Sequence, residues 1–101
     1  MIKILLCCVA GMSTSLLVTK IKKAAEAENI ECEVSAVAID QLKSNIEGVN
    51  VVLLGPQIKY KLPEVKKICD EKNIPCDVIN MVDYGLMNGK KVLDFCMKMA
   101  K

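Results

Sequence analysis

The residue in this chain best suited to chemistry is Cys8, together with the segment that follows it. Residues 8–15 read CVAGMSTS, directly after an apolar run broken only by Lys3 and directly before a helical pattern. A strand that ends in a cysteine, followed by a loop of small residues entering a helix, directs backbone N–H groups and the positive end of the helix dipole at the sulfur. Such a place stabilises a thiolate or a bound anion, so the segment suits chemistry in which phosphate passes through cysteine.

Two neighbouring cysteines, Cys7 and Cys8, compete for that role. Side chains alternate along a strand, so the two thiols point to opposite faces. Only the residue at the junction of strand and loop can reach the helix N-terminus, where a thiol pKa near 8.5 can fall to about 7 or lower. We therefore predict that Cys8 is the nucleophile and that Cys7 is a core thiol.

The loop itself is expected to hold the phosphoryl group mainly through backbone N–H donors, since capping of the helix consumes hydroxyl groups. The predicted phosphate-binding residues are Val9, Ala10, Gly11, Met12, Ser13 and Thr14, with Ser15 as a candidate neighbour.

Composition excludes several classes of site. All 14 basic residues are lysine and there is no histidine, so the chain has no Cys-His or Ser-His pair, no histidine metal site and no guanidinium clamp on phosphate. The net charge of +2 is too small to imply nucleic acid. The six cysteines are irregularly spaced without a CxxC pair, which favours reduced, buried thiols over disulfides or zinc. We expect neither a metal nor a cofactor.

The hydrophobic pattern predicts four strands alternating with helices. The strand runs are residues 2–7, 30–37, 51–54 and 76–80. Ser13 or Thr14 is expected to cap a first helix that ends near Glu28, Asp40 a short second helix and Asn88 the last one, whereas residues 83–85 are expected to form a turn or loop.

This alternation predicts an α/β fold: one domain over residues 1–101, with a flavodoxin-like open parallel sheet of four strands in the order 2-1-3-4 and helices on both faces. The runs at 2–7 and 51–54 are wholly or almost wholly apolar and belong in the middle of the sheet. Ligands bind such sheets at the carboxyl ends of the strands, where the strand order reverses. Cys8 and the loop that contains Gln57 are therefore expected to meet there.

Other phosphate-handling loops fit less well. The nucleotide-binding pattern GxxxxGK[ST] is absent. Low-molecular-weight tyrosine phosphatases and some arsenate reductases carry Cys-x5-Arg, but counting from Cys8 the arginine position is Thr14. Without that cation the charge of a transferring phosphoryl group is poorly offset. The loop is better suited to holding a phosphocysteine than to hydrolysing it, as a carrier requires.

Several segments together resemble a known family. They are residues 8–18 (CVAGMSTSLLV), residues 51–58 (VVLLGPQI), Tyr60, residues 62–64 (LPE) and residues 83–85 (DYG). Over nearly the whole chain they are similar to the lactose/cellobiose (chitobiose) type of enzyme IIB in the bacterial phosphoenolpyruvate:sugar phosphotransferase system.

The resemblance implies a protein-phosphocysteine–sugar phosphotransferase. Enzyme IIA gives a phosphoryl group from its phosphohistidine to IIB, which passes it to a sugar entering through membrane enzyme IIC, commonly a β-linked disaccharide such as cellobiose, chitobiose or lactose. The phosphorylated cysteine of the family corresponds to Cys8. Gln57 and Tyr84 fall on positions that make them candidate site neighbours.

Three expectations about context follow. The protein is expected in the cytoplasm, transiently at the inner face of the membrane through IIC, because the longest apolar run, residues 4–12, is far shorter than the roughly 20 residues of a membrane helix. Monomer is the default expectation. Two rival functions stay open: a regulatory or scaffold version of the same domain, and a cysteine-dependent small phosphatase or arsenate reductase.

Overall fold

The sheet is built around two wholly or largely buried strands. A computed structural model describes residues 1–8 and 15–100, and its four strands are all parallel in the order β2-β1-β3-β4. The strands are β1 (Ile2–Cys8), β2 (Cys32–Ala38), β3 (Val51–Leu54) and β4 (Cys76–Val78). The predicted order is confirmed, and the two apolar runs occupy the middle of the sheet because each has neighbours on both sides.

Helices cover both faces of this flavodoxin-like sheet. They are α1 (Ser15–Ala27), α2 (Leu42–Asn45), α3 (Leu62–Asp70), α4 (Met81–Gly85) and α5 (Gly89–Met99), with 3-10 turns at Ile39–Gln41 and Pro56–Lys61. Within residues 1–8 and 15–100, no helix combines the length and apolar character needed to cross a membrane.

Alternation along β1 divides the core into two layers. Ile4 and Leu6 face the layer that contains α1 and α5. Leu5 and Cys7 face the opposite layer, which contains α2 and α3. Both layers are largely aliphatic, as the low aromatic content requires.

Of the two helix caps predicted at Asp40 and Asn88, the first is wrong and the second is confirmed. Asp40 does not cap a helix: it lies inside the 3-10 turn, and no side chain caps either that turn or α2. The chain turns directly after the extended Ala38, so the helical conformation has begun before Asp40. Asn88 does cap the last helix as predicted, since its side chain accepts a hydrogen bond from the N–H of Lys91 at 3.2 Å.

The expected loop at residues 83–85 is instead the end of helix α4. The side chain of Asn80 accepts hydrogen bonds from the N–H groups of Val82 at 2.8 Å and Asp83 at 3.2 Å. This cap satisfies the first donors of the helix. It also ends β4 at Val78 rather than at Asn80.

The six cysteines all lie among the described residues, and none forms a disulfide. Cys7, Cys8, Cys69 and Cys96 are buried, whereas Cys32 and Cys76 are half-buried. Burial raises the pKa of Cys7, Cys69 and Cys96 to about 12, because a thiolate loses its hydration there. These three thiols are therefore protonated at neutral pH.

Close packing of α5 on α1 gives a first prediction. A Cβ atom on Gly89 would lie 2.4 Å from the backbone carbon and oxygen of Lys20. Backbone cannot yield as a flexible side chain can, so Gly89→Ala should lower the free energy of unfolding by about 1–3 kcal/mol. Urea denaturation measures this change.

Gly85 is the matched control, since a Cβ atom there would meet nothing within 4 Å. Gly85→Ala should leave stability unchanged or raise it by up to about 1 kcal/mol. Equal denaturation midpoints for the two variants would contradict the proposed contact between α5 and α1.

The buried thiols give a second prediction, about alkaline stability. In the unfolded chain the pKa of a cysteine thiol is near 9.0, whereas burial in the folded chain raises the pKa of Cys96 to about 12. Between these values the unfolded state binds fewer protons, so stability falls as pH rises, by up to about 1.4 kcal/mol per pH unit for each such thiol. Cys96→Ala should make this decline shallower in urea titrations above pH 9.0.

Val92→Ala is the control, because it also removes a buried side chain from α5 but no titrating group. It should lower stability while the decline with pH keeps the slope of the unmodified protein. The same slope in Cys96→Ala would show that this thiol ionises alike in both states.

Candidate functional site

The candidate site lies where β1 and β3 end together. Cys7 pairs with Leu54, and the ladder continues one step further because the N–H of Gly55 donates to the carbonyl oxygen of Cys7 at 2.9 Å. On the other side of β1, Cys8 pairs with Ala38 of β2. Cys8 is thus the last residue of a strand held from both sides, at the edge where the order of strands reverses.

The two adjacent thiols lie on opposite faces of the sheet. Cys8 shares the face of Ile4 and Leu6, toward α1 and α5, and is 2% exposed. Cys7 is fully buried in the other layer. Its pKa rises to about 12 through burial and, to a lesser degree, through the neighbouring Cys8. Cys7 is therefore not a nucleophile at neutral pH.

Helix α1 begins at Ser15, a short segment after Cys8. It packs on the sheet through Leu17 and Ile21. Its first turn has no acidic side chain, so no carboxylate of that turn offsets the positive end of the helix dipole. The helix starts on the side of the sheet that Cys8 faces.

The predicted phosphate-binding residues fall outside the described residues. They are Val9, Ala10, Gly11, Met12, Ser13 and Thr14. Their predicted role, and the predicted cap of α1 at Ser13 or Thr14, stay predictions.

The two candidate neighbours, Gln57 and Tyr84, come together at Gly55. A Cβ atom built on Gly55 would lie 2.7 Å from Oε1 of Gln57 and 3.7 Å from Cε1 of the Tyr84 ring. The same position is 3.7 Å from the carbonyl oxygen of Cys7. Gly55 thus allows a side chain from the loop after β3 and a ring from α4 to approach the end of β1 closely.

Tyr84 is a buried residue of helix α4. It is 7% exposed, packs in the core layer of α1 and α5, and its N–H donates to the carbonyl oxygen of Asn80 at 2.9 Å. Sequence reasoning missed the role of Asn80. The signal was present: an asparagine followed three residues later by Asp83 resembles the start of a capped helix.

Several large apolar side chains in the segments that follow the strands are exposed to solvent. They follow the carboxyl ends of β1, β3 and β4. A group of exposed apolar side chains of this kind is typical of a surface that a partner covers. We call them the apolar rim; they are Leu16, Tyr60, Met81, Val82 and Leu86, between 53% and 72% exposed. No single helix carries them, so periodicity in the sequence could not reveal the rim.

Charged side chains also lie in the segment that follows β3. Lys59 is exposed, and Lys61 forms an ion pair with Glu64 at 3.3 Å while lying 6.0 Å from the centre of the Tyr60 ring. Over residues 1–8 and 15–100, no group of three or more histidine, cysteine, aspartate or glutamate residues is arranged to hold a metal ion.

Comparison with known proteins places this geometry in a family. The family model described as PTS system, Lactose/Cellobiose specific IIB subunit, matches residues 3–95. The oligo-beta-mannoside-specific EIIB component of Bacillus subtilis is 45% identical over 92 residues, covering 91% of this chain and 89% of that protein.

Two solved structures are similar as well. The cellobiose-specific phosphotransferase IIB component of Borrelia burgdorferi has a TM-score of 0.81 at 41% identity, covering 98% of this chain and 91% of that chain. The lactose-specific IIB component domain of Streptococcus pneumoniae has a TM-score of 0.89 at 17% identity, covering 99% and 98%. At that identity the second likeness shows the shared fold.

The resemblance seen in the sequence is thereby confirmed. The chain belongs to the lactose/cellobiose-specific IIB subunits of the phosphoenolpyruvate:sugar phosphotransferase system.

Proposed function

We propose that Cys8 accepts a phosphoryl group from a phosphohistidine of enzyme IIA and transfers it to a sugar that enters through membrane enzyme IIC. The observation that carries this proposal is the position of Cys8 in a IIB-family chain. It ends a central strand directly before the segment that leads into α1. Cys7, the adjacent thiol, is fully buried with a pKa raised to about 12.

Two displacements at phosphorus make up the cycle. In the first, the Cys8 thiolate attacks, an S–P bond forms, and the N–P bond of the donor breaks with its electron pair returning to the histidine ring. In the second, a sugar hydroxyl attacks, an O–P bond forms, and Cys8 leaves as the thiolate while the hydroxyl proton passes to a base or to water. A thiolate stabilised by the N-terminus of α1 serves both as nucleophile and as leaving group.

Backbone N–H groups of residues 9–14 are proposed to bind the phosphoryl oxygens, with Ser15 beside them. The chain contains no arginine, so it lacks the side chain best suited to bidentate phosphate binding. We therefore infer that each partner completes the electrostatic stabilisation when it docks. Gln57 and Tyr84 border the site through their approach to Gly55.

The apolar rim supports a docking role for this edge. Because the donor histidine must come within bonding distance of Cys8, IIA has to cover the carboxyl ends of the strands. IIC presents the sugar to the same sulfur, so the two partners use this edge in turn. The protein would then act in the cytoplasm and transiently at the inner face of the membrane, as a monomer and a single domain over residues 1–101.

The substrate is proposed to be a β-linked disaccharide. The oligo-beta-mannoside-specific relative of Bacillus subtilis and the cellobiose-specific component of Borrelia burgdorferi support this class. The activity is that of a protein-phosphocysteine–sugar phosphotransferase. Family membership favours this carrier role over a cysteine phosphatase or an arsenate reductase. A carrier must keep its phosphoryl group until a partner docks.

Substitution of the two adjacent cysteines separates their roles. Cys8→Ser should abolish phosphorylation from phosphoenolpyruvate, the general phosphotransferase proteins and a cognate IIA, because a hydroxyl does not ionise at neutral pH. Cys7→Ser is the matched control and should accept one phosphoryl group like the unmodified protein. Intact-protein mass spectrometry with peptide mapping at neutral pH gives the readout.

A phosphoryl group on the peptide of Cys8→Ser, or its loss in a folded Cys7→Ser, would refute the assignment. Transfer onward to sugar in the presence of IIC membranes distinguishes a transport component from a regulatory or scaffold domain, which would stop at the phosphoprotein.

The rim gives a further prediction about partner affinity. Val82 is 64% exposed, so Val82→Lys should leave the fold intact while placing an ammonium group in the docking surface. We expect the KM for phospho-IIA to rise about tenfold, because docking would then bury an unpaired charge. Initial rates of phosphoryl transfer at varied IIA concentration measure it.

Glu71→Lys is the control at the far side of the molecule, where α3 ends. It changes the net charge more than Val82→Lys does, yet it should leave that KM unchanged. A similar rise in both variants would point to bulk charge rather than to the rim.

A further inference from the structure

A second pair of cysteines, Cys69 and Cys76, lies far from the phosphoryl site. Cys69 is in the last turn of α3, and Cys76 is the first residue of β4. Because β4 is parallel to β1, its first residue lies at the amino edge of the sheet, opposite the edge where Cys8 ends β1. Nothing in the proposed phosphoryl transfer uses these two thiols.

Both side chains belong to the same core layer, since Cys69 is one of its buried residues and Cys76 packs against that cluster. Neither takes part in a disulfide. Both backbones are anchored: the N–H of Ile74 donates to the carbonyl oxygen of Cys69 at 2.9 Å, and Cys76 pairs with Val52 of β3. Their shared place in this layer is therefore set by where α3 ends and β4 begins.

The pair is asymmetric in a way that gives each sulfur a role. Cys69 is fully buried, whereas Cys76 is half-buried and so reachable from solvent. Burial raises the pKa of Cys76 above its usual value, although its interactions with Cys69 and Lys66 partly offset that rise. Burial and the neighbouring Cys76 raise the pKa of Cys69 to about 12. Of the two thiols, Cys76 therefore ionises first, and Cys69 is the buried thiol near it.

We propose that Cys69 and Cys76 form a redox modification site, a dithiol that low-molecular-weight disulfides convert to an intramolecular disulfide. The Cys76 thiolate attacks a disulfide such as oxidised glutathione, forming a mixed disulfide and releasing one glutathione thiolate. Cys69 then attacks the Cys76 sulfur and releases the second glutathione. The protein loses two protons and two electrons, and one glutathione disulfide becomes two thiols.

Closure links the end of α3 covalently to the start of β4. The third thiol of this layer, Cys7, lies near enough to Cys69 to raise its pKa. Cys7 is itself fully buried on a central strand, so it cannot be the sulfur that meets the oxidant. The entry point of the reaction is Cys76.

The test uses the reduced full-length protein with oxidised glutathione at neutral pH, followed by alkylation and tryptic mapping. Trypsin cleaves after Lys72, between the two cysteines, so their disulfide appears as a cross-linked peptide pair. We expect this pair, with an intact mass lower by two hydrogens, and recovery of the original mass after reduction. The rate should rise about tenfold per pH unit below the pKa of Cys76.

Single cysteine variants test the separate steps of the reaction. Cys69→Ser should accumulate one glutathione on Cys76, because the resolving thiol is missing. Cys32→Ser, which removes the other half-buried thiol, should form the disulfide as the unmodified protein does. Stable glutathione on Cys76 of the unmodified protein, a bridge from Cys69 to Cys7, or no reaction at Cys76 would each overturn the proposal.

Discussion

The pairing of β1 with β3 is the constraint on which the rest of the molecule depends. It places both strands in the middle of the sheet and carries the ladder past Leu54, where the N–H of Gly55 binds the carbonyl oxygen of Cys7. Parallel strands end at one edge, so a thiol from the first strand and a loop from the third meet without any long-range signal in the sequence. The same pairing fixes register. A slip by one residue would turn Cys7 toward α1 and bury Cys8 against α3.

Much of this framework could be predicted from the sequence because its cause is local. Continuous apolar runs identify β1 and β3 as buried strands, and alternation with helical patterns leaves few parallel topologies. Prediction fails where a single polar side chain decides between a loop and a helix. Asn80 binds two N–H groups and starts α4, whereas Asp40 makes no such bond. Both residues are common capping types, and residue type alone does not tell whether the side chain accepts a hydrogen bond from the helix.

The candidate site divides in the same way. Cys8 could be predicted because a strand tip before a small-residue loop is a contiguous signal. The approach of Gln57 and Tyr84 to Gly55 depends on three elements packing together, whereas the resemblance to a family indicated only that both are candidate site neighbours. The apolar rim depends on the ends of three strands sharing one edge. Its members are spread along the chain from position 16 to position 86, so no periodicity connects them.

Six cysteines in one chain show how environment, not residue type, decides chemistry. Burial in the aliphatic core holds the pKa of Cys7, Cys69 and Cys96 near 12 and makes them packing groups. At the end of the same strand as Cys7, the next residue faces the other layer and leads into a helix whose first turn carries no carboxylate. A phosphoryl group on Cys8 would meet no guanidinium of this chain, since the chain has none. We propose that backbone dipoles hold it instead. Such dipoles bind an anion without strongly promoting attack by water, and a carrier must retain its phosphoryl group between one partner and the next.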